Sequence, residues 1–236
     1  MKIILADIES SLTEALTFDY WDASIPHENI TTERHIHTIA WKEYGKSQVN
    51  VISQLDDRKR WKKNIHDDFY VVSEFRKVLE TADFVVFHNG NSFDIPMIQG
   101  RILLNELPPL PKIESIDTYR IAKKYFKLPY NNLNYLAKMF RLGGKTENPK
   151  GLWRSCFEGN EDAMKQLAKY NKNDVVLLEG VFKRLMPYVK FPMNKSYACQ
   201  NLACESDDIR LEGQRAGKQR YSCNSCGLFG TIKKTT

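Results

Sequence analysis

The chain has 236 residues, and 42% of them are hydrophobic, which is enough for one folded core and a small second module. No apolar run of about 18 residues occurs and no secretory signal is evident, so we expect a cytoplasmic protein without a membrane span. The net charge of +6 is mild and compatible with a polyanionic partner such as nucleic acid.

Hydrophobic periodicity predicts alternating strands and helices along the first 190 residues. The predicted strands are 3–6, 35–41, 48–53, 83–87 and 113–116. The predicted helices are one capped by Asp68, one beginning near Asp94, and 118–126, 132–140 and 161–185. Residues 18–32 have no clear period and are expected to be irregular. The alternation favours an α/β fold with a mixed sheet.

Four acidic residues lie in three short motifs within these elements. Asp7 and Glu9 close the first strand and share one of its faces, because side chains alternate along a strand. Asp94 follows the strand 83–87, and Tyr170 and Asp174 lie one helical turn apart. Each motif alone is more typical of a helix cap or an exposed pair. Together they indicate a two-metal site for cutting phosphodiester bonds, since Mg²⁺ and Mn²⁺ prefer carboxylate oxygens.

These motifs resemble those of the DEDD superfamily of 3′–5′ exonucleases, to which polymerase proofreading domains belong. The first motif is Asp7-Ile8-Glu9, and the second, in its family-B polymerase form, is Asn89-Gly-Asn-Ser-Phe-Asp94. The third, Tyr170-Asn-Lys-Asn-Asp174, is that of the tyrosine subclass. The resemblance covers roughly residues 1–190 and implies a ribonuclease H-like mixed β-sheet flanked by helices.

The resemblance also implies a role for each residue of the motifs. Asp7 is expected to bridge two Mg²⁺ or Mn²⁺ ions. Glu9 and Asp174 are expected to complete the site of the ion that activates water, and Asp94 to serve the other ion. Tyr170 is expected to orient the attacking water.

Asn89 and Phe93 are expected to contact the nucleic-acid end. The implied function is a metal-dependent 3′–5′ exonuclease acting on single-stranded nucleic acid, with DNA favoured. Because no polymerase sequence follows, we expect a stand-alone enzyme similar to those of phages and bacteria, working in a bacterial cell or a phage-infected host. Two alternatives remain open: a catalytically idle nucleic-acid-binding accessory protein, and a structure-specific endonuclease that uses the same site.

Four of the five cysteines lie close together near the C-terminus. The pairs Cys199-x₄-Cys204 and Cys223-x₂-Cys226 have the spacing of a closed four-thiolate site for one structural Zn²⁺. A segment of about 40 residues needs such a metal to fold, so we expect a zinc ribbon at 198–236, after a linker at 191–197. Disulfides are the alternative.

Several basic residues decorate this segment, and Arg215, Lys218 and Arg220 are candidates for nucleic-acid contact beside an aromatic ring. A solvated face is the alternative. Trp61, within the basic run 58–63, is expected either to contact nucleic acid or to lie in an exposed turn. His35 and His37 are expected at the surface, and Cys156 in the core.

Overall fold

The computed structural model describes residues 2–18, 24–110, 113–145, 148–189, 199–201, 204, 206, 208–215 and 218–233. The predicted linker at 191–197 lies outside these residues. The strands in chain order are β1 (Ile3–Ser10), β2 (Glu14–Ala15), β3 (Ile30–Thr32), β4 (Ile36–Glu43), β5 (Asn50–Ser53), β6 (Phe84–Phe87), β7 (Glu114–Asp117), β8 (Ile209–Arg215), β9 (Lys218–Cys223) and β10 (Phe229–Lys233). The α-helices are α1 (Arg58–Lys63), α2 (Phe69–Glu80), α3 (Asp94–Leu104), α4 (Thr118–Tyr125), α5 (Leu133–Met139), α6 (Leu152–Phe157) and α7 (Glu161–Leu185). Short 3₁₀ turns span His27–Asn29, Gln54–Asp56 and Met186–Tyr188.

Five strands form the central sheet in the order β5-β4-β1-β6-β7. The predicted strands at 35–41 and 48–53 form an antiparallel hairpin of β4 and β5, and β4 also pairs antiparallel with β1. Strands β6 and β7 follow on the other side of β1 and run parallel to it. The predicted α/β fold with a mixed, ribonuclease H-like sheet is confirmed. Strand β1, which carries Asp7 and Glu9, is the middle strand.

Two hydrophobic layers cover the sheet, one on each face. Leu5 of β1 packs with Phe182 of α7 on one side. Ile4 packs with Phe75 of α2 and Ile98 of α3 on the other. Neighbouring residues of β1 therefore enter opposite layers, as the period of a strand requires. This alternation turns Asp7 and Glu9 towards the layer that contains α7.

Three expectations about individual side chains are wrong. Trp61 is buried (7% exposed) on the inner side of α1, so it is not available for contact with nucleic acid. His35 and His37 are also buried, at 1% and 0% exposure, rather than at the surface. Strand β4 lies between two other strands and contacts α7 and α2, so most of its side chains are covered.

Asp68 occupies the N-cap position of α2 as predicted, but its carboxylate makes no capping hydrogen bond. It instead accepts hydrogen bonds from the Arg101 guanidinium at 2.7 and 2.9 Å and from the Ile36 amide at 3.0 Å. A buried carboxylate needs such partners because burial of an unpaired charge is costly. Asp68 thus joins α2, α3 and β4.

Within the segment expected to be irregular, β3 pairs with β2 in a small two-stranded sheet. The C-terminal strands form a separate antiparallel sheet with the order β10-β9-β8. Among the described residues, no helix is both long and apolar enough to cross a membrane.

Candidate active site and zinc site

Three of the four predicted acidic residues converge at the face of the central sheet. Asp7 and Glu9 extend from β1, and Asp174 extends from α7, which packs along β1 and β4. One carboxylate oxygen from each lies within 4.8 Å of the other two. Helix α7 starts where the Asn160 side chain accepts hydrogen bonds from Asp162 and Ala163, and its buried stripe directs Asp174 to the sheet.

Burial and mutual repulsion make this cluster unfavourable as three bare anions. Burial, reinforced by the Asp174 charge, raises the pKa of Glu9 to about 8. Burial and then the Glu9 charge raise the pKa of Asp7 well above its ordinary value. One buried oxygen of Asp174, Oδ1, has no hydrogen-bond partner. A divalent cation would satisfy that oxygen and relieve the repulsion, so these residues fit a Mg²⁺ or Mn²⁺ site.

A cation from the chain itself reaches this cluster. The Lys145 ammonium forms a short ion pair with Asp174 and donates a hydrogen bond to the Tyr170 hydroxyl at 3.0 Å. Burial disfavours the charged amine, but the Asp174 carboxylate outweighs it and the pKa of Lys145 is raised. Tyr170 and Asp174 are neighbours on α7, as predicted. Lys145 was not predicted as a site residue, because it follows α5 in a segment without periodicity.

Asp94, the fourth predicted acid, lies beside the cluster rather than within it. It is the first residue of α3, is 4% exposed, and accepts a hydrogen bond from the Ile8 amide at 3.3 Å. Burial raises the pKa of Asp94 to about 7, although the Ile8 amide opposes the shift. The Asp94 charge in turn raises the pKa of Asp7. The two carboxylates therefore repel each other, and Ile8, which follows Asp7 in β1, donates the hydrogen bond to Asp94.

The loop between β6 and α3 is fixed by its backbone. Asn89 has a φ of 67°, and a side chain at Gly90 would lie 2.2 Å from Phe87, so only glycine fits there. The Asp117 carboxylate accepts hydrogen bonds from the backbone amides of Asn89 at 3.0 Å and Asn91 at 3.2 Å. Asp117 thereby orients the loop that leads to Asp94.

The aromatic environment of the cluster includes two further side chains. Phe93 lies just before Asp94 and is 39% exposed, so its ring is accessible from solvent. The Trp153 indole of α6 lowers the pKa of Glu9 against the effect of burial, and its ring meets that of Tyr170 edge-on with centroids 5.9 Å apart. Nothing in the sequence around Trp153 indicated its contact with Tyr170.

The four C-terminal cysteines also come together, and all five cysteines of the chain are free thiols. Their sulfur atoms lie within 4.8 Å of one another, with Cys199 Sγ 3.4 Å from Cys226 Sγ and Cys204 Sγ 3.7 Å from Cys223 Sγ. Four thiolates at about 2.3 Å from a tetrahedral Zn²⁺ are separated by about 3.8 Å. The cluster therefore fits one structural zinc ion and shows no disulfide.

Backbone amides point at these sulfur atoms. Burial opposes ionisation of Cys223, but the amides of Cys226 and Ser225 outweigh it and lower the pKa of that thiol to about 7. The turn closes with a hydrogen bond from the Gly227 amide to the Cys223 carbonyl at 2.9 Å, and Gly227 has a φ of 73°. This is the geometry expected of a zinc knuckle.

The predicted basic residues of the ribbon lie on its sheet. Lys218 and Arg220 are exposed on β9, and Arg215 is the last residue of β8, paired with Lys218.

Comparisons with known proteins agree with this fold. The family model of the RNase H superfamily matches residues 27–186. The family B DNA polymerase of the hyperthermophilic archaeon Pyrobaculum calidifontis has a similar structure, with a TM-score of 0.57 and 16% sequence identity over 79% of this chain. The match covers 24% of the polymerase, so the chain corresponds to only part of that protein. No curated protein matches the chain.

The chain belongs to the RNase H superfamily. The ribonuclease H-like superfamily and fold that the motifs implied are thereby confirmed, and the similar structure of a family B polymerase agrees with that fold. The superfamily and the fold support nuclease activity on a nucleic-acid substrate. The matched range begins at residue 27, after β1, so the positions of Asp7 and Glu9 rest on the structure itself.

Proposed function

We propose that the protein is a 3′–5′ exonuclease that hydrolyses single-stranded nucleic acid, with DNA favoured, by a two-metal mechanism. One observation carries the proposal: carboxylates of Asp7, Glu9 and Asp174, distant in sequence, meet within 4.8 Å. Two further observations support it: Lys145 contacts both Tyr170 and Asp174, and the Asp94 charge raises the pKa of Asp7.

The acidic side chains would hold the metals. Asp7, Glu9 and Asp174 would bind one divalent ion, and Asp7 with Asp94 the other. When bound, a pair of such ions supplies charge stabilisation for the entering and leaving oxygens of the phosphodiester. The remaining chemistry belongs to side chains near the cluster.

Tyr170 is suited to hold the attacking water. Its hydroxyl accepts a hydrogen bond from Lys145, and burial raises its pKa, so the phenol remains protonated and can itself donate. The Lys145 ammonium adds positive charge where negative charge builds on the phosphate during hydrolysis. The exposed Phe93 ring and the backbone near Asn89 would contact the terminal nucleotide.

The test is a time course on DNA and RNA oligonucleotides labelled at the 5′ end or at the 3′ end. A 3′–5′ exonuclease with Mg²⁺ gives a descending ladder from the 5′ label and a mononucleotide from the 3′ label. Circular single-stranded DNA should remain intact. Digestion of the circle would support an endonuclease, and tight binding without any turnover would support an accessory protein.

The matched variants are Asp7→Ala and Asp174→Ala, with Asp162→Ala as the control. Asp162 lies on the same helix as Asp174 but is 89% exposed in its side chain, so its loss should not affect the rate. We expect the two cluster variants to lose at least about 10³-fold in kcat, because the charges that stabilise the transition state are lost. Full activity in either variant would refute the proposal.

A further inference from the structure

The C-terminal sheet has one face turned away from the cysteine cluster. On β9, Tyr221 and Cys223 point inwards and are 0% and 2% exposed. The Tyr221 hydroxyl accepts a hydrogen bond from the Gln200 amide at 2.7 Å, and a side chain at Gly230 would lie 2.4 Å from its ring. Since side chains alternate along a strand, Lys218, Arg220 and Ser222 point to the opposite face.

The register of the sheet extends this face across three strands, because directly paired residues share a face. Ser222 is paired with Arg210 of β8 and with Phe229 of β10. Arg220 is paired with Gly213 and Thr231, and Lys218 with Arg215 and Lys233. We call this set of positions the ribbon face.

The ribbon face is basic and carries an exposed aromatic ring. Arg210, Lys218 and Arg220 lie at its positions, and Arg210 forms an ion pair at 3.8 Å with Glu212, the acid of these strands. Glu212 sits at the bulge of β8, where it accepts a hydrogen bond from Ser222 at 2.7 Å. The Arg210 side chain is 75% exposed, and Phe229 is 66% exposed. The Phe229 ring lines a groove together with Tyr125 and Tyr188, and most of the ring remains open to solvent.

We propose that the ribbon face binds single-stranded nucleic acid, with Phe229 stacking on an unpaired base and Arg210, Lys218 and Arg220 contacting phosphates. Excess positive charge matches a polyanion, and an exposed ring offers a surface to any base that is free to unstack. A duplex keeps its bases inside and would leave the ring unused. This inference deepens the proposed function. It rests on that function in one respect: the strand bound by the ribbon face is taken to be the substrate of the nuclease.

The test measures binding of labelled oligo-dT by fluorescence anisotropy, using the full chain with Asp174→Ala to prevent digestion. Phe229→Ala should weaken binding by about 5- to 150-fold, the range of base–aromatic stacking, whereas Phe229→Tyr keeps the ring and should retain affinity. The double variant Lys218→Gln, Arg220→Gln should reduce the slope of log affinity against log salt by about 1.4, or 0.7 per lost phosphate contact. Lys77→Gln, at an exposed lysine of α2, is the matched charge control.

A duplex of the same length separates stacking from charge alone. We expect Phe229→Ala to weaken single-strand binding and to leave duplex binding unchanged. Unchanged single-strand affinity in Phe229→Ala and in the double variant, each with one zinc ion still bound per chain, overturns the inference.

Failure here is distinguishable from failure of the proposed function. If the parent digests oligonucleotides and the ribbon-face variants have the same KM as the parent, only this inference is overturned. Binding that follows the expected pattern in a parent that hydrolyses nothing removes the nuclease proposal alone.

Discussion

Asn171 holds Asp7 through both hydrogens of its side-chain amide. Its Nδ2 donates to the Asp7 carboxylate at 2.6 Å and to the Asp7 carbonyl at 3.1 Å. The Thr38 hydroxyl donates to Asn171 Oδ1 at 3.1 Å, which fixes the orientation of the amide. Asn171 is fully buried, so the two contacts persist away from water. Asn171, which follows Tyr170 in the third motif, thus orients the aspartate of the first motif.

Asn171→Ala should therefore lower kcat without abolishing substrate binding. Removal of a group that orients a metal ligand commonly costs about 10- to 100-fold in activity or metal affinity, and we expect a loss of that size. The measurement is steady-state digestion at several Mg²⁺ concentrations. Lys172→Ala, at the exposed neighbour on α7, is the control. An increased KM with unchanged kcat would instead assign Asn171 to substrate binding.

Lys145→Met should shift half-maximal activity to a lower Mg²⁺ concentration. The ammonium pairs with the same Asp174 carboxylate that a metal would use, so its removal eliminates a competitor and makes the cluster more negative. Lys145→Arg retains the charge and should keep the metal dependence close to that of the parent. A requirement for more Mg²⁺ in Lys145→Met would contradict competition at this carboxylate.

His37 should make stability depend on pH. Burial lowers its pKa from 6.5 to about 4, so in acid the unfolded chain takes up a proton before the folded chain does. Its contribution to stability is present above about pH 6.5 and is lost as the pH falls towards 4, by up to about 1.4 kcal/mol per pH unit. Urea unfolding from pH 7 to pH 4.5 should show the parent losing stability relative to His37→Asn.

The matched control for that experiment is His27→Asn, because the His27 side chain is 97% exposed. Comparing variants with the parent also cancels the opposing effect of the acidic cluster, whose raised pKa values favour the folded state as the pH falls. A stability difference between His37→Asn and the parent that stays constant with pH would show that His37 does not titrate in this range.

The C-terminal cysteines should hold one zinc ion per chain in reducing buffer. Cys223→Ser should remove that ion, because a closed tetrahedral site needs all four thiolates. Cys156→Ser should leave zinc content unchanged, since Cys156 is buried with Leu152 and Met164 in another part of the core. Elemental analysis of the purified variants gives the answer. A parent chain without zinc would remove the ribbon assignment.

Local sequence patterns predicted an element of the fold well where its hydrophobic periodicity and the residues that start and stop it agree. The apolar residues repeated along α7 predicted its first and last residues, and the apolar residues after Ile3 predicted the central strand. Contacts between distant segments were not accessible in this way. His37 was placed at the surface because alternation on β4 says nothing about the helices that cover the strand. Trp61 was misassigned because cations flank it in sequence, while α1 turns the ring alone inwards.

In the candidate site too, residues within motifs were predicted and contacts between distant segments were not. Asp7, Glu9 and Asp174 were found from motif order and spacing, and their roles stay predictions until variants are assayed. Lys145 and Asn171 were missed because each acts only through a partner brought near by the fold. No short motif contains both members of either pair.

Strand β1 has a paired neighbour on both sides and a helical layer above and below. Its amides should consequently be among the last in the protein to exchange with deuterium, because they open only when the whole domain unfolds. The carboxylates of Asp7 and Glu9 are then held by the part of the molecule that is most resistant to local unfolding. Under the proposed function, adjustment to a moving substrate would fall to the loops around the cluster, and the carboxylates would keep the proposed metal positions constant from one cleavage to the next.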